Sequence, residues 1–356
     1  MHSNAFTVTI EPVSSCNLSC HYCYSGGDSQ SILAPETARN ALDAIAAYAG
    51  EHGCDELHCV WLGGEPLLAG IRFFTQVFSE TFSLALPLRH FIQTNGLLLD
   101  DDYCRLFQDA GVCVGISLDG PREIHDAFRV SLGGAPTHSL VMDAIALLRK
   151  RDLSFGCAAV VSRVTLGREE EVYDFFRSLR SDFRINPMIP GRHSPNQACQ
   201  ITPTEYGKAL IRFFDSWIAS GPVHVNISPL DSYVAAVASG EPAECQHQLS
   251  CAGRTLGIKP DGTVTICGRF QDTPLGRLGA SSIAELLAAP TWAALQARPG
   301  LITDCHGCAN WPICHGGCPH NSLVFGLEQT ARDPFCPAYK AIFAHIRLAL
   351  GAGATV

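Results

Sequence analysis

Cys16, Cys20 and Cys23 stand at C-x-x-x-C-x-x-C spacing just after a short apolar run, so one loop can wrap three thiols around a single corner. Three is one fewer than a structural zinc site or a closed four-iron cluster takes. The missing ligand points to a 4Fe-4S cluster with one iron open to a small molecule. The competing reading makes them three of four zinc ligands. A second group runs Cys245-x5-Cys251-x15-Cys267, then Cys305-x2-Cys308-x5-Cys314-x3-Cys318-x17-Cys336. Eight thiols are two sets of four: two further metal clusters, or a pair of zinc sites. Between the groups lie Gly63-Gly64-Glu65-Pro66, Gln93-Thr94-Asn95-Gly96 and Ser117-Leu118-Asp119-Gly120, each at the end of an apolar run, with Arg129 beyond the last. Glycines permit close backbone approach to a ligand, and a carboxylate such as Glu65 suits an ammonium. Cys54, Cys59, Cys104, Cys113, Cys157 and Cys199 fall mostly in apolar segments and read as small buried hydrophobes.

The elements that must position these residues alternate. Apolar, β-branched runs at residues 6–13, 57–62, 90–93, 112–118, 155–161 and 183–189 predict six strands. Helical spacing links Leu42, Ile45 and Ala49; Phe73, Phe74, Val77 and Phe78; Tyr103, Leu106, Phe107 and Ala110; Leu140, Ala144, Ile145 and Leu148; and Val172, Phe175, Phe176 and Leu179. Strands separated by helices predict a parallel α/β sheet, curved into a partial barrel or open and doubly wound. In either, ligands gather at the carboxyl ends of the strands, where the three motifs lie. The pattern stops near residue 191. Thr202 and Glu205 then have capping-box spacing, with Pro203 in the first turn of a helix carrying Leu210, Phe213, Phe214 and Trp217. From residue 244 the composition shifts to Cys, Gly and Pro, with a hairpin signal at Asp261-Gly262 and a helix over 283–287. This region is expected to have little core of its own and to depend on metal cross-links.

The 356-residue chain is 47% hydrophobic and 17% charged, which excludes a disordered chain, and its formal charge of -9 argues against nucleic acid and anionic membranes as partners. No apolar run reaches the length of a bilayer span, and the first residues carry no basic or apolar signal segment, so a cytoplasmic location is expected. Seventeen cysteines in a reducing compartment need a use other than disulfides.

With Tyr24 after Cys23, the N-terminal motif resembles that of the radical S-adenosylmethionine (SAM) enzymes. The resemblance implies a partial (β/α)6 TIM-like barrel over residues 1–191, a bridging helical segment over 192–236, and a cysteine-rich SPASM domain over 237–356. It implies SAM and three 4Fe-4S clusters. Cys16, Cys20 and Cys23 hold the SAM-binding cluster; Cys245, Cys251, Cys267 and Cys318 hold an inner auxiliary cluster; Cys305, Cys308, Cys314 and Cys336 hold an outer one. Tyr24, Gly63, Gly64, Glu65, Pro66, Asn95, Ser117 and Arg129 become the SAM-binding residues, with Glu65 meeting the methionine amino group and Ser117 and Arg129 the ribose and carboxylate. Reductive cleavage of SAM then gives a 5′-deoxyadenosyl radical that takes a hydrogen from a peptide carbon, with Asp119, His125 and Asp126 as candidate proton acceptors. Asp119 also reads as a turn former and the other two as a solvated helix start.

Within that family the C-terminal spacing resembles the peptide and protein maturases, including anaerobic sulfatase-maturating enzymes. Those enzymes usually carry aspartate directly after the cysteine matching Cys267, and glutamine before the GGEP segment. Here the residues are Gly268 and Leu62. Both differences favour another outcome: a carbon-carbon or carbon-heteroatom cross-link in a ribosomally made precursor peptide. Formylglycine formation and epimerisation, with Cys157 or Cys199 as hydrogen donor, are the alternatives; a non-catalytic electron carrier leaves GGEP and SLDG without a purpose. The implied partners are the precursor peptide and a flavodoxin- or ferredoxin-type reductase. With only 15 residues before Cys16, leader recognition falls to the barrel rim, the segment over 192–239, or a separate leader-binding protein.

Overall fold

The computed structural model describes residues 4–23, 31–81, 84–190, 197–220, 224–249 and 254–351. Its first half alternates β1 (Ala5–Ile10), α1 (Pro35–Glu51), β2 (Glu56–Trp61), α2 (Ile71–Glu80), β3 (Leu88–Thr94), α3 (Asp101–Asp109), β4 (Cys113–Ser117), α4 (Arg122–His125), α5 (His138–Lys150), β5 (Phe155–Val161), α6 (Glu169–Leu179) and β6 (Phe183–Pro187). The six strands pair in parallel in chain order, from β1 beside β2 to β5 beside β6. An order without a reversal point decides for the singly wound partial barrel over the doubly wound sheet.

Alternation along each strand sorts residues onto two faces. Val8, Ile10, Trp61, Ile92 and Ile116 are buried under the helices, whereas Thr9, Val60, Gln93, Ser117 and Val160 face the other way and are only partly covered. On the helix side, α2 sets Phe73, Phe74 and Phe78 edge-on around Trp61 at centroid distances of 5.8, 5.6 and 6.2 Å. In α5 the buried stripe is Val141, Ala144, Ile145 and Leu148; Leu140, expected on that stripe, points outward at 49% exposure.

The second half begins with α7 (Pro203–Ile218), whose N-terminus has the expected capping box, and continues through β7 (Ile227–Ser228) and α8 (Leu230–Ser239). The cysteine-rich segment then forms β8 (Thr255–Ile258), β9 (Thr263–Thr265), β10 (Pro274–Arg277), α9 (Ile283–Leu287), α10 (Pro290–Leu301), α11 (Trp311–Cys314), α12 (Pro319–Val324) and α13 (Cys336–Ala349). The β8–β9 hairpin turns at Asp261-Gly262 as expected. Its placement was not legible: β8 pairs in parallel with β1, from Thr7 opposite Thr255 to Ile10 opposite Ile258, so one ten-stranded sheet runs β10-β9-β8-β1-β2-β3-β4-β5-β6-β7. The expectation of a region with little core is corrected accordingly. Leu256, Ile258, Val264, Ile266, Leu286, Trp292, Ile342 and Phe343 are all buried and continuous with the barrel core. α13 lies so close against α7 that a Cβ on Gly207 would come within 2.8 Å of the Ala338 Cα.

Candidate active site and cluster sites

Three strand ends grip the N-terminal cysteine loop at successive points. The GGEP turn after β2 holds its start: the Gly64 N–H donates to Val13 O at 3.3 Å and the Glu65 N–H to Ser15 O at 3.0 Å. A side chain at 64 is excluded, since its Cβ would lie 2.1 Å from Ser15 O. Gly63 has φ +138°, a conformation that favours glycine. Glu65 is buried. Its Oε1 accepts from the Leu67 N–H at 3.1 Å and the Thr94 hydroxyl at 2.7 Å, and its Oε2 from the Asn95 N–H at 2.8 Å, so the carboxylate ties GGEP to the end of β3. Burial pushes its carboxyl up to about 7 against those hydrogen bonds.

Asn95 holds the next part of the loop. Its Nδ2 donates to Asn17 Oδ1 at 2.7 Å and lies 3.9 Å from Cys16 Sγ, while its Oδ1 accepts from the Leu97 N–H. Residues 19–21 then run beside residues 128–130, with the Ser19 N–H on Val130 O at 2.8 Å and the His21 N–H on Phe128 O at 2.9 Å. A buried triad completes the grip. The Tyr22 hydroxyl donates to Asp119 Oδ2, Arg129 Nε pairs with the same oxygen at 3.1 Å, and the Arg129 guanidinium lies 5.4 Å from the Tyr22 ring centroid. Asp119 Oδ1 accepts from the Val160 N–H at 2.9 Å, which fixes the triad to β5.

The three thiols feel one another. Burial pushes Cys20 up to about 12, with the Arg129 charge pulling it down and Cys23, Asp119 and Cys16 adding to the rise; burial also raises Cys16, with Glu65 and Cys23 contributing. Soft thiols gathered on one loop, ringed by close backbone, match the donor set of an iron-sulfur cluster. Tyr24 lies outside the described residues, Pro66 opens the short turn Pro66–Ala69, and Ser117 Oγ accepts from Gln93 Nε2 at 3.0 Å.

The three candidate proton acceptors all hold the fold. His125 is fully buried: its Nδ1 accepts from the Asp119 N–H at 3.4 Å, its Nε2 lies 3.1 Å from Thr137 Oγ1, and that hydroxyl donates to Arg129 O at 2.7 Å. This chain is consistent with only one neutral tautomer, with the proton on Nε2. Burial, with help from Arg129 and His138, holds the imidazole down at about 3. Asp126 Oδ1 accepts the N–H groups of Thr137 and His138 at 2.9 and 2.8 Å and so caps α5 from outside. Cys157 and Cys199 are buried, at 4% and 0% exposure.

The C-terminal thiols fall into two neighbourhoods. Cys245, Cys267 and Cys318 lie within electrostatic reach of one another; Cys251 lies outside the described residues. Cys305 lies within reach of Cys336 and Cys308, and Cys314 within reach of Cys336 and Cys305. Among the described residues no three His, Cys, Asp or Glu side chains converge as ligands of a single metal ion do. The second four instead line one small cavity, together with Trp311, Arg332 and Tyr339. A ring of thiols around a volume suits a polynuclear cluster.

Two features the sequence did not reveal hold this region together. The Arg298 guanidinium, buried in α10, donates to four backbone oxygens: Gly317 O at 2.9 Å, Gly316 O at 3.1 Å, and Gln329 O and Ala331 O at 2.8 Å. Asp333, 1% exposed, accepts from the Cys318 N–H, Asn321 Nδ2 and the Phe335 N–H, each at 2.8 Å.

Two family models match the chain: the radical SAM superfamily over residues 10–179 and an iron-sulfur cluster-binding domain, SPASM, over residues 245–309. The chain is 28% identical over 354 residues to a serine-type anaerobic sulfatase-maturating enzyme of Klebsiella aerogenes, covering 96% of this chain and 85% of that protein. In fold it is similar to native anSMEcpe with bound AdoMet and Cp18Cys peptide, with a TM-score of 0.86, 23% identity and 98% of each chain covered. It is also similar to Streptococcus suis SuiB bound to precursor peptide SuiA, with a TM-score of 0.70 and 14% identity over 94% of this chain and 76% of that one. Among the described residues no helix is long and apolar enough to cross a membrane.

Proposed function

The chain belongs to the radical SAM superfamily and carries a SPASM iron-sulfur cluster-binding domain, and from that premise we propose that it is a peptide maturase forming a side-chain carbon-carbon or carbon-heteroatom cross-link in a ribosomally made precursor. When bound, SAM and its cluster supply a 5′-deoxyadenosyl radical, the difficult chemistry in such enzymes. The chain's own residues do the rest. The GGEP turn, Asn95 and the Tyr22–Asp119–Arg129 triad hold the cysteine loop over the strand ends, and in this reading the peptide is bound against the partly covered face of β1–β6. SAM binding falls to Tyr24, Gly63, Gly64, Glu65, Pro66, Asn95, Ser117 and Arg129. Asp119, His125 and Asp126 act in this reading as positioning groups, since each is committed to the fold.

The observation that carries the cross-linking reading is at Gly268. Sulfatase maturases usually place an aspartate there as a base, but here a Cβ would lie 2.5 Å from Thr9 Cγ2, on the strand that β8 joins. Thr9 occupies the volume a side chain needs. The reading is tested by co-expression with any short reading frame found beside the gene. A mass loss of two hydrogens, mapped by fragmentation to two joined side chains, is expected, and an unchanged mass overturns it. Formylglycine formation is the second reading, favoured by the 28% identity over nearly the whole chain to a sulfatase-maturating enzyme. It predicts oxidation of a sulfatase-derived Ser or Cys peptide instead. The electron donor in this proposal is a flavodoxin- or ferredoxin-type reductase.

A further inference from the structure

The loop after β9 carries an arginine directly after Gly268. Arg269 turns its guanidinium toward the inner set of thiols: Nη1 lies 3.8 Å from Cys318 Sγ, and Nη2 donates to Asn321 Oδ1 at 2.8 Å. Its backbone N–H and that of Phe270 face the Cys267 sulfur, and its charge also acts on Cys245. The guanidinium is held in place by a closed circuit. Asn321 Nδ2 donates to Asp333 Oδ2 at 2.8 Å, and the same carboxylate oxygen accepts the Cys318 N–H at 2.8 Å, so the arginine and the thiol it faces hang from one buried group. Only a planar fork reaches an amide oxygen with one arm and a sulfur with the other.

We propose that Arg269 raises the reduction potential of the inner auxiliary cluster through its charge and its hydrogen bond to Cys318. The inference rests on reading Cys245, Cys251, Cys267 and Cys318 as that cluster's ligands. A cation beside a ligand thiolate stabilises the reduced, more negative state, and a hydrogen bond to the sulfur acts in the same direction. The poise suits the proposed reaction. A loss of two hydrogens divides into one hydrogen atom, taken by the radical, one proton, released to solvent, and one electron, which a group of raised potential accepts more readily.

The test is an EPR-monitored redox titration of the reconstituted holoenzyme, with the inner cluster's signal identified as the one absent from Cys245→Ala. In Arg269→Gln that signal is expected to titrate at lower potential. A tenfold fall in its reduced fraction relative to oxidised at fixed poise corresponds to about 59 mV for a one-electron couple. The other two signals are expected to stay in place, and Arg269→Lys to restore part of the shift. An unmoved midpoint in Arg269→Gln overturns the proposal. So does loss of the inner cluster from that variant, because the guanidinium would then be retaining the ligand rather than tuning it. Failure of the wild-type chain to assemble an inner cluster removes the ligand reading itself, a result distinguishable by iron content and by the absence of a Cys245-dependent signal.

Discussion

Asp119 carries three contacts through two oxygens: Val160 N–H on one, Tyr22 and Arg129 on the other. Removing it leaves Arg129, 8% exposed, with an uncompensated charge against the Tyr22 ring. Asp119→Ala is therefore expected to destabilise the chain by about 3–5 kcal/mol, the usual consequence of breaking a buried pair from one side. It should also loosen the loop that holds Cys20 and Cys23. Urea unfolding of the variant checks the first effect and iron retention at the N-terminal site the second; a loss under about 1 kcal/mol would show that the triad is not a closed unit. At this scale the sequence was informative about residue type and poor about partners. The cysteines were legible because thiols at that spacing have few other uses. Tyr22 as the partner of Asp119, 97 positions away, was not, because nothing in either neighbourhood marks the pairing. Arg269 was visible only as a residue following an unexpected glycine.

The elements divide along the same physical line. Strands β1 to β6 and helices α1 to α3, α5 and α6 are local patterns, and their periodicity placed them. The capping box at Thr202 and the hairpin at Asp261-Gly262 are equally local. β7 is two residues long, too short to leave a pattern. α13 carries a local signal of its own, a proline in its first turn and a stripe of Ala338, Tyr339, Ile342, Phe343 and Ile346. α10 buries Trp292 and Leu295 and sets Arg298 near its C-terminal end. Four carbonyls of the segments between α11 and α13 accept from that guanidinium; Gly316 O also accepts from the Asp333 N–H and Ala331 O from the Ser322 hydroxyl. Arg298→Met takes the guanidinium from Gly317 O and Gln329 O, which no other donor meets among the described residues, and is expected to cost about 2 kcal/mol or more, since buried acceptors left alone cost about 1–3 kcal/mol each. The outer set of thiols should lose its cluster first, because Gly316 lines the same cavity as Cys305, Cys308, Cys314 and Cys336. Iron content and the outer cluster's EPR signal, with the N-terminal signal as internal control, report the outcome; full retention of the outer cluster would refute the staple.

Across the whole molecule, buried imidazoles set the acid limit. His90, which accepts from Trp61 Nε1 at 3.1 Å, is held down at about 4 by burial, and His125 at about 3. The sign follows from proton counts: below the ordinary value of about 6.5 the unfolded chain binds protons that the folded chain refuses. The stability these two contribute is complete above about 6.5 and is lost as the pH falls toward 4 and then 3. Glu65, raised to about 7, works in the opposite sense, its share falling as the pH rises from its ordinary value to 7. His90→Gln keeps an acceptor for Trp61 and should remove one proton's worth of the acid slope in urea midpoints measured between pH 7 and 4; a slope identical to wild type would sink the assignment. The union of barrel and cysteine-rich segment in one sheet belongs to this scale too. Pairing between β1 and β8 joins segments far apart in the chain, Thr7 to Thr255, and no local signal reports such a contact.

That pairing also orders events at the ribosome. β1 is translated long before β8, which begins only at Thr255. At about 5–20 residues per second, one margin of the nascent barrel stays unpaired for on the order of 12–50 seconds. During that interval a growing chain presents bare backbone donors and acceptors to its neighbours. Slowing elongation between β6 and β8 should therefore make the polypeptide depend more heavily on chaperones, even though every codon still specifies the same amino acids.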